Sequence, residues 1–189
     1  MNNSRWIAAA LAALLSGCGT SPPLRYYALA VVTPATRPTA APGTLQIHVR
    51  HVGLPPEMDH RGLTHHQGPT RLTISDTDEW SAPLGTLIQA TVTRDLGERL
   101  GYEHVLAPNV QPVAKQATLD LDFVNLSADD NCAIGARVNW TLSVPDAATR
   151  RGTTVLMAPA TGCPAGLAAA LSAALGDLAD QLVPQLTSP

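Results

Sequence analysis

The chain has 189 residues, 45% of them hydrophobic, with 12 basic and 15 acidic side chains and a net charge of −3. That balance excludes the basic stripe a nucleic-acid surface needs, and one lysine with no block of like charge excludes a polybasic membrane-binding tail.

Residues 6–15 form an unbroken apolar run, preceded by Arg5 and followed by the small residues Ser16 and Gly17. A charged start, a short apolar core and a small-residue cleavage region describe a signal peptide; a membrane-spanning helix needs about 20 apolar residues. Leu15-Ser16-Gly17-Cys18 resembles a bacterial lipobox. Residues 1–17 are therefore expected to be a removed lipoprotein signal peptide, with Cys18 acylated as the first mature residue. A plain secretory signal with an incidental cysteine is the alternative. One acyl chain holds a protein only marginally; the diacylglycerol plus amide-linked chain that the resemblance implies meets the need for more. Gly19, where aspartate would retain such a lipoprotein, implies forwarding to the outer membrane.

Cleavage leaves roughly 170 residues, enough for one domain with a real core and short for two. Residues 18–43 read as a lipidated tether: a short strand in RYYALAVV (25–32), then TPATRPTAAPG, whose three prolines and small residues can neither pack nor form a helix. Residues 44–189 read as the folded domain.

Within it, Leu45, Ile47 and Val49 alternate, as do Leu72 and Ile74 in 71–76, so both stretches are expected as half-buried strands. From 83 to 100 the apolar residues move to helical spacing at Leu84, Leu87, Ile88, Val92, Leu96 and Leu100, with Arg94, Asp95, Glu98 and Arg99 mostly off that stripe. Pro83 suits a first turn and Gly101 a C-terminal stop. Alternation returns at 118–123 and, more strongly, at 132–144. Leucines at 167, 171, 175, 178 and 182 mark a second helix to about 186, which Pro184 ends or bends. Two amphipathic helices, each covering one face of an antiparallel or mixed sheet, give a single two-layer α/β domain.

An exported chain meets oxidising conditions, so with Cys18 acylated, Cys132 and Cys163 form an even pair. If 145–150 is the loop of a hairpin, Trp140 faces Val155, Val138 faces Met157 and Cys132 faces Cys163. Directly opposed residues of an antiparallel pair lie within disulfide reach. Two free buried thiols are the alternative.

Chemistry is sparse. Six histidines include His48, His51, His60, His65 and His66 near Glu57 and Asp59, but Pro55 and Pro56 break the segment and no recurring ligand spacing appears, so solvated loop histidines are expected and no metal site. No nucleophile elbow, phosphate loop or dinucleotide fingerprint is present. Asp120 and Asp122 fall on the polar face of a strand, and Asp129-Asp130-Asn131 reads as a turn rather than a calcium loop. The expectation is a protein that is not an enzyme and takes no cofactor.

The lipobox at Cys18, YYAL at 26–29, Leu54-Pro55 with Asp59 downstream, and W-x-x-P-L at Trp80, Pro83 and Leu84 stand in an order that resembles the auxiliary lipoproteins of ABC-type transport systems, the paraquat-inducible protein C-like group. Where that pattern has arginine before the tryptophan and an acidic residue before the proline, this chain has Glu79 and Ala82. The resemblance implies a non-catalytic subunit on the periplasmic face of the outer membrane. It would work with an inner-membrane permease and an MCE-type bridging protein to move lipids. The partner contact would fall at Trp80 or at the 54–61 loop with Leu54, Pro55, Asp59 and Arg61; Trp80 as an ordinary core residue is the equal alternative. A homo-oligomer is compatible with this reading. Rival readings are an interaction lipoprotein of another envelope system and, more remotely, a metal-dependent envelope enzyme.

Overall fold

The computed structural model describes residues 22–34, 46–110 and 116–187. The expected signal peptide, Cys18 and most of the proline-rich stretch lie outside these. Ten elements follow in order: β1 (Arg25–Tyr27), β2 (Ile47–Gly53), β3 (Gly62–Gln67), β4 (Arg71–Trp80), α1 (Leu84–Leu100), β5 (Val105–Leu106), β6 (Ala117–Ala128), β7 (Ile134–Ser143), β8 (Arg150–Ala158) and α2 (Ala165–Thr187).

Five strands make a mixed sheet in the order β5-β2-β6-β7-β8, parallel from β5 to β6 and antiparallel from β6 to β8. Three make a small sheet, β1-β4-β3, in which β1 runs parallel and β3 antiparallel to β4. The fold is α/β with a mixed sheet and two helices, as the periodicities indicate. The helices do not take one face each. Along β7 only alternate residues, from Ile134 through Val138 to Leu142, are buried. Both helices pack against that face and against each other, leaving the opposite face open.

The α1 stripe is buried as expected at Leu84, Ile88, Val92, Leu96 and Leu100, but Asp95 and Arg99 are buried too. They lie toward α2, so α1 has a second, polar buried face that an apolar-stripe reading cannot show. In α2 all five marker leucines are buried. Pro184 does not end this helix, which runs to Thr187; so close to the C-terminus a missing N–H removes only one of the last helical bonds.

The β7–β8 hairpin has a different register from the expected one. Trp140 pairs with Gly152 and Val138 with Thr154, which turns Val155 and Met157 outward to 59% and 76% exposure. A slip by an odd number of residues exchanges the two faces of a strand. The register suits Trp140: a Cβ at Gly152 would stand 2.4 Å from its ring, so only glycine fits opposite it. Cys132 and Cys163 are bonded, with Cα atoms 5.5 Å apart, yet neither lies in a strand. Cys132 closes the β6–β7 turn at φ 64°, and Cys163 stands just before α2. Asp129 holds that turn, accepting the N–H of Asn131 and of Ala133 (both 2.9 Å). The disulfide therefore ties a sheet turn to the entry of the second helix.

Candidate functional site

Residues 54–61, expected as a partner-binding loop, sit where β2 ends and α1 begins. Pro55 is buried, and the turn Pro56–Met58 folds over it with Met58 at 4% exposure, closed by the Met58 N–H to the Pro55 carbonyl (2.9 Å). Leu54 is half-buried, whereas Asp59 and Arg61 are exposed. Arg61 pairs with Glu79 across β3–β4 (3.6 Å), so the residue at the departed family position is itself charge-paired. Trp80 is 2% exposed and belongs to the core. Its N–H donates to the Arg61 carbonyl (2.8 Å), and the next residue, Ser81, donates to the Tyr27 carbonyl (2.8 Å). Trp80 thus fixes three chain segments at the start of α1. The surface that remains available consists of Leu54, Asp59 and Arg61.

Leu54 and Asp59 line a cleft of about 300 Å³ together with Arg50, Pro83 and Gln89. The sequence does not announce Arg50 as part of it. A register shift between Val49 and His51 interrupts the β2–β6 pairing, and Arg50 and His51 are both exposed; bulges re-aim side chains in this way. Gln89 of α1 caps the bulge, donating to the Val49 carbonyl at 2.8 Å and the Arg50 carbonyl at 3.3 Å. Arg50 forms a two-point pair with Asp120, its Nε donating at 2.9 Å, and His51 Nε2 stands 3.7 Å from Asp122. A neighbouring hollow of about 430 Å³ shares Arg50 and His51 and adds Asp120, Asp122 and Thr141. The cleft is thus shallow, polar and of mixed charge.

The histidines are not the solvated loop that the prolines suggest. His48 is 8% exposed on β2, and His65 and His66 are half-buried on β3, with only His51 and His60 well exposed. Among the described residues no three histidine, cysteine or acidic side chains come together in a metal-binding group.

The YYAL motif has a structural role. Tyr27 OH donates to Asp78 Oδ1 (3.0 Å), Arg25 Nη2 donates to Asp78 Oδ2 (3.0 Å), and Ser75 Oγ donates to the same Oδ2 (2.8 Å). Burial pushes the Asp78 carboxyl upward, but the Ser75, Arg25 and Tyr27 hydrogen bonds outweigh it and hold the group below its ordinary range. Leu29 is buried. Beyond it the chain crosses α1 and α2. The Ala30 N–H donates to Ser172 Oγ (3.0 Å) and the Val32 N–H to Asp95 Oδ1 (2.8 Å), while Arg99 Nη1 donates to the Val32 carbonyl (3.0 Å). Arg99 also grips Asp180 through Nε (2.7 Å) and Nη2 (2.9 Å). Asp95 is fully buried with Oδ2 unpartnered. Burial pushes its pKa up to about 6, against the lowering effects of the Val32 N–H, Arg99 and Arg94 and with a smaller upward push from Asp180.

The family model for the ABC-type transport auxiliary lipoprotein component matches residues 27–183. No curated protein matches the sequence. Several solved structures share the fold, among them these two. One, described only as an uncharacterized protein, superposes with a TM-score of 0.67 at 15% identity, over 87% of this chain and 99% of its own. The other, a DUF330 protein from Xanthomonas campestris, gives 0.65 at 20% identity, over 86% and 95%.

Proposed function

The chain belongs to the family of ABC-type transport auxiliary lipoprotein components, and from that membership we propose that it is a non-catalytic accessory subunit of an intermembrane lipid transport system. In this reading Cys18 carries the lipid anchor, Gly19 directs the protein to the outer membrane, and the domain faces the periplasm. Its partners are the system's MCE-type bridging protein and, through it, the inner-membrane permease. The observation that carries the reading is the family match across nearly the whole folded domain. The cleft beside Leu54 and Asp59 supports a docking role, because it offers paired charges and an exposed loop that is pinned by Met58 and Trp80 and so does not have to be ordered on binding.

Cross-linking in intact envelopes, followed by pull-down and mass spectrometry of the native chain and of Cys18→Ser, tests the proposal. The expected outcome is recovery of an MCE-type protein and its permease with the native chain and reduced recovery with the variant. Recovery of secretion or assembly components in their place would overturn it.

A further inference from the structure

The amino-terminal segment, residues 22–34, is fastened to the domain in an unusual way. Leu29 is the one buried residue in it; Tyr27, Val31, Val32 and Pro34 are half-buried and the rest are exposed. Its β-pairing is three residues long, against positions 78–80 of β4. What holds the rest is a set of side chains gripping its backbone: Ser172 on Ala30, and Asp95 and Arg99 on the two sides of Val32. Gly176 completes the groove, since a Cβ there would stand 2.7 Å from that of Val32.

From this geometry we propose that residues 25–34 form a latch, which detaches from the α1–α2 groove and from β4 while the rest of the domain stays folded. A terminal segment with few buried apolar groups is the part of a fold expected to open at low free energy, and no other element of the main sheet is built on it. Asp95 gives the latch a control. Its carboxylate is buried, with one oxygen taking the Val32 N–H of the segment and the other unpartnered; opening takes away the first contact and brings water to the carboxylate. The charges facing it are Arg94 and Arg99 from α1 and Asp180 from α2, with the Tyr102 hydroxyl beyond the helix end. At the other end of the segment Asp78, held low by its hydrogen bonds, stays ionised between pH 5 and 7. Opening lets the pKa of Asp95 fall from about 6 toward the ordinary 3.8, so the latch opens more readily at pH 7 than at pH 5, by at most about tenfold.

The consequence rests on the anchored reading of Cys18. Closed, the domain hangs from the anchor by residues 18–25, at most about 25 Å; open, by residues 18–47, at most about 100 Å. The latch would thus set how far from its membrane the domain can meet a partner.

Amide exchange on the full mature chain in detergent, corrected for intrinsic pH dependence, tests this. Ala30 and Val32 should be less protected than Leu121 and Val138 at pH 7, with opening severalfold rarer at pH 5, at most about tenfold. Asp95→Asn should flatten that pH response, and Gly176→Ala should raise opening at both pH values without touching β6 and β7. Exchange of arm and sheet amides together at both pH values, or an unchanged pH response in Asp95→Asn, would overturn the latch. The intact mass of the same sample reports whether Cys18 is acylated, so failure of the anchor is read separately.

Discussion

Trp140 and Gly152 are matched across β7 and β8 so closely that any Cβ at position 152 would stand 2.4 Å from the indole. Gly152→Ala must therefore move either the ring or the strand. Overpacking of this kind destabilises by about 1–3 kcal/mol. Urea unfolding should show a lower midpoint at unchanged slope; an unaltered midpoint would mean the indole has room to turn.

That pair also shows what the sequence could reveal and what it could not. Alternation located β6 and β7, and helical spacing located α1 and α2, because each buries one regular face. Register depends on steric fits such as this one, and counting alternate residues cannot distinguish Gly152 from Val155 as the partner of Trp140. The cysteine pairing is legible through compartment and parity, whereas strand register has no part in it, since neither cysteine lies in a strand. β3 escaped notice because its buried residues, Leu63 and Thr64, are consecutive and its histidines look polar. Asp95 and Arg99 escaped because charged residues read as solvent-facing unless their partners, here Asp180 and the Val32 backbone, are known. At the site, Leu54, Asp59 and Trp80 were visible as motif residues, but Arg50 depends on a bulge that leaves no local mark.

The Cys132–Cys163 bond closes a loop with a sequence separation of 31 residues. By the chain-entropy model its loss costs about 3–4 kcal/mol. Cys163→Ser, or reduction of the native chain, should lower stability by that amount and free the turn at Asp129 from the start of α2. Equal unfolding midpoints with and without reductant would show that the bond contributes nothing to the equilibrium.

Asp95 makes stability depend on pH in a stated direction. Its folded pKa, about 6, lies above the ordinary 3.8, so between those values the folded chain binds more protons than the unfolded one. Stability from this group is complete below about pH 4 and is lost as pH rises through about 6, a span worth about 3 kcal/mol. Asp95→Asn keeps an oxygen for the Val32 N–H and should remove this part of the pH dependence, raising stability relative to the native chain at pH 7. Parallel pH profiles for the two proteins would contradict it.

Trp80 and the Asp59–Arg61 surface give opposite expectations, and together they test where a partner docks. With 2% of Trp80 exposed, Trp80→Ala leaves a large cavity beneath the start of α1 and costs about 3–5 kcal/mol, so its effect on binding cannot be separated from loss of the fold. Asp59 and Arg61 are exposed, and Arg61 pairs with Glu79 at 3.6 Å. The double variant Asp59→Ala, Arg61→Ala should stay within about 0.5 kcal/mol of native stability, because both side chains are exposed and Asp59 closes the Pro56–Met58 turn through its backbone N–H, which alanine keeps. If the cleft is the docking surface, that same variant lowers partner recovery in the envelope cross-linking experiment while its melting temperature is unchanged. Full recovery from the double variant would move the contact off this cleft, leaving the open face of the five-stranded sheet as the surface to mutate next.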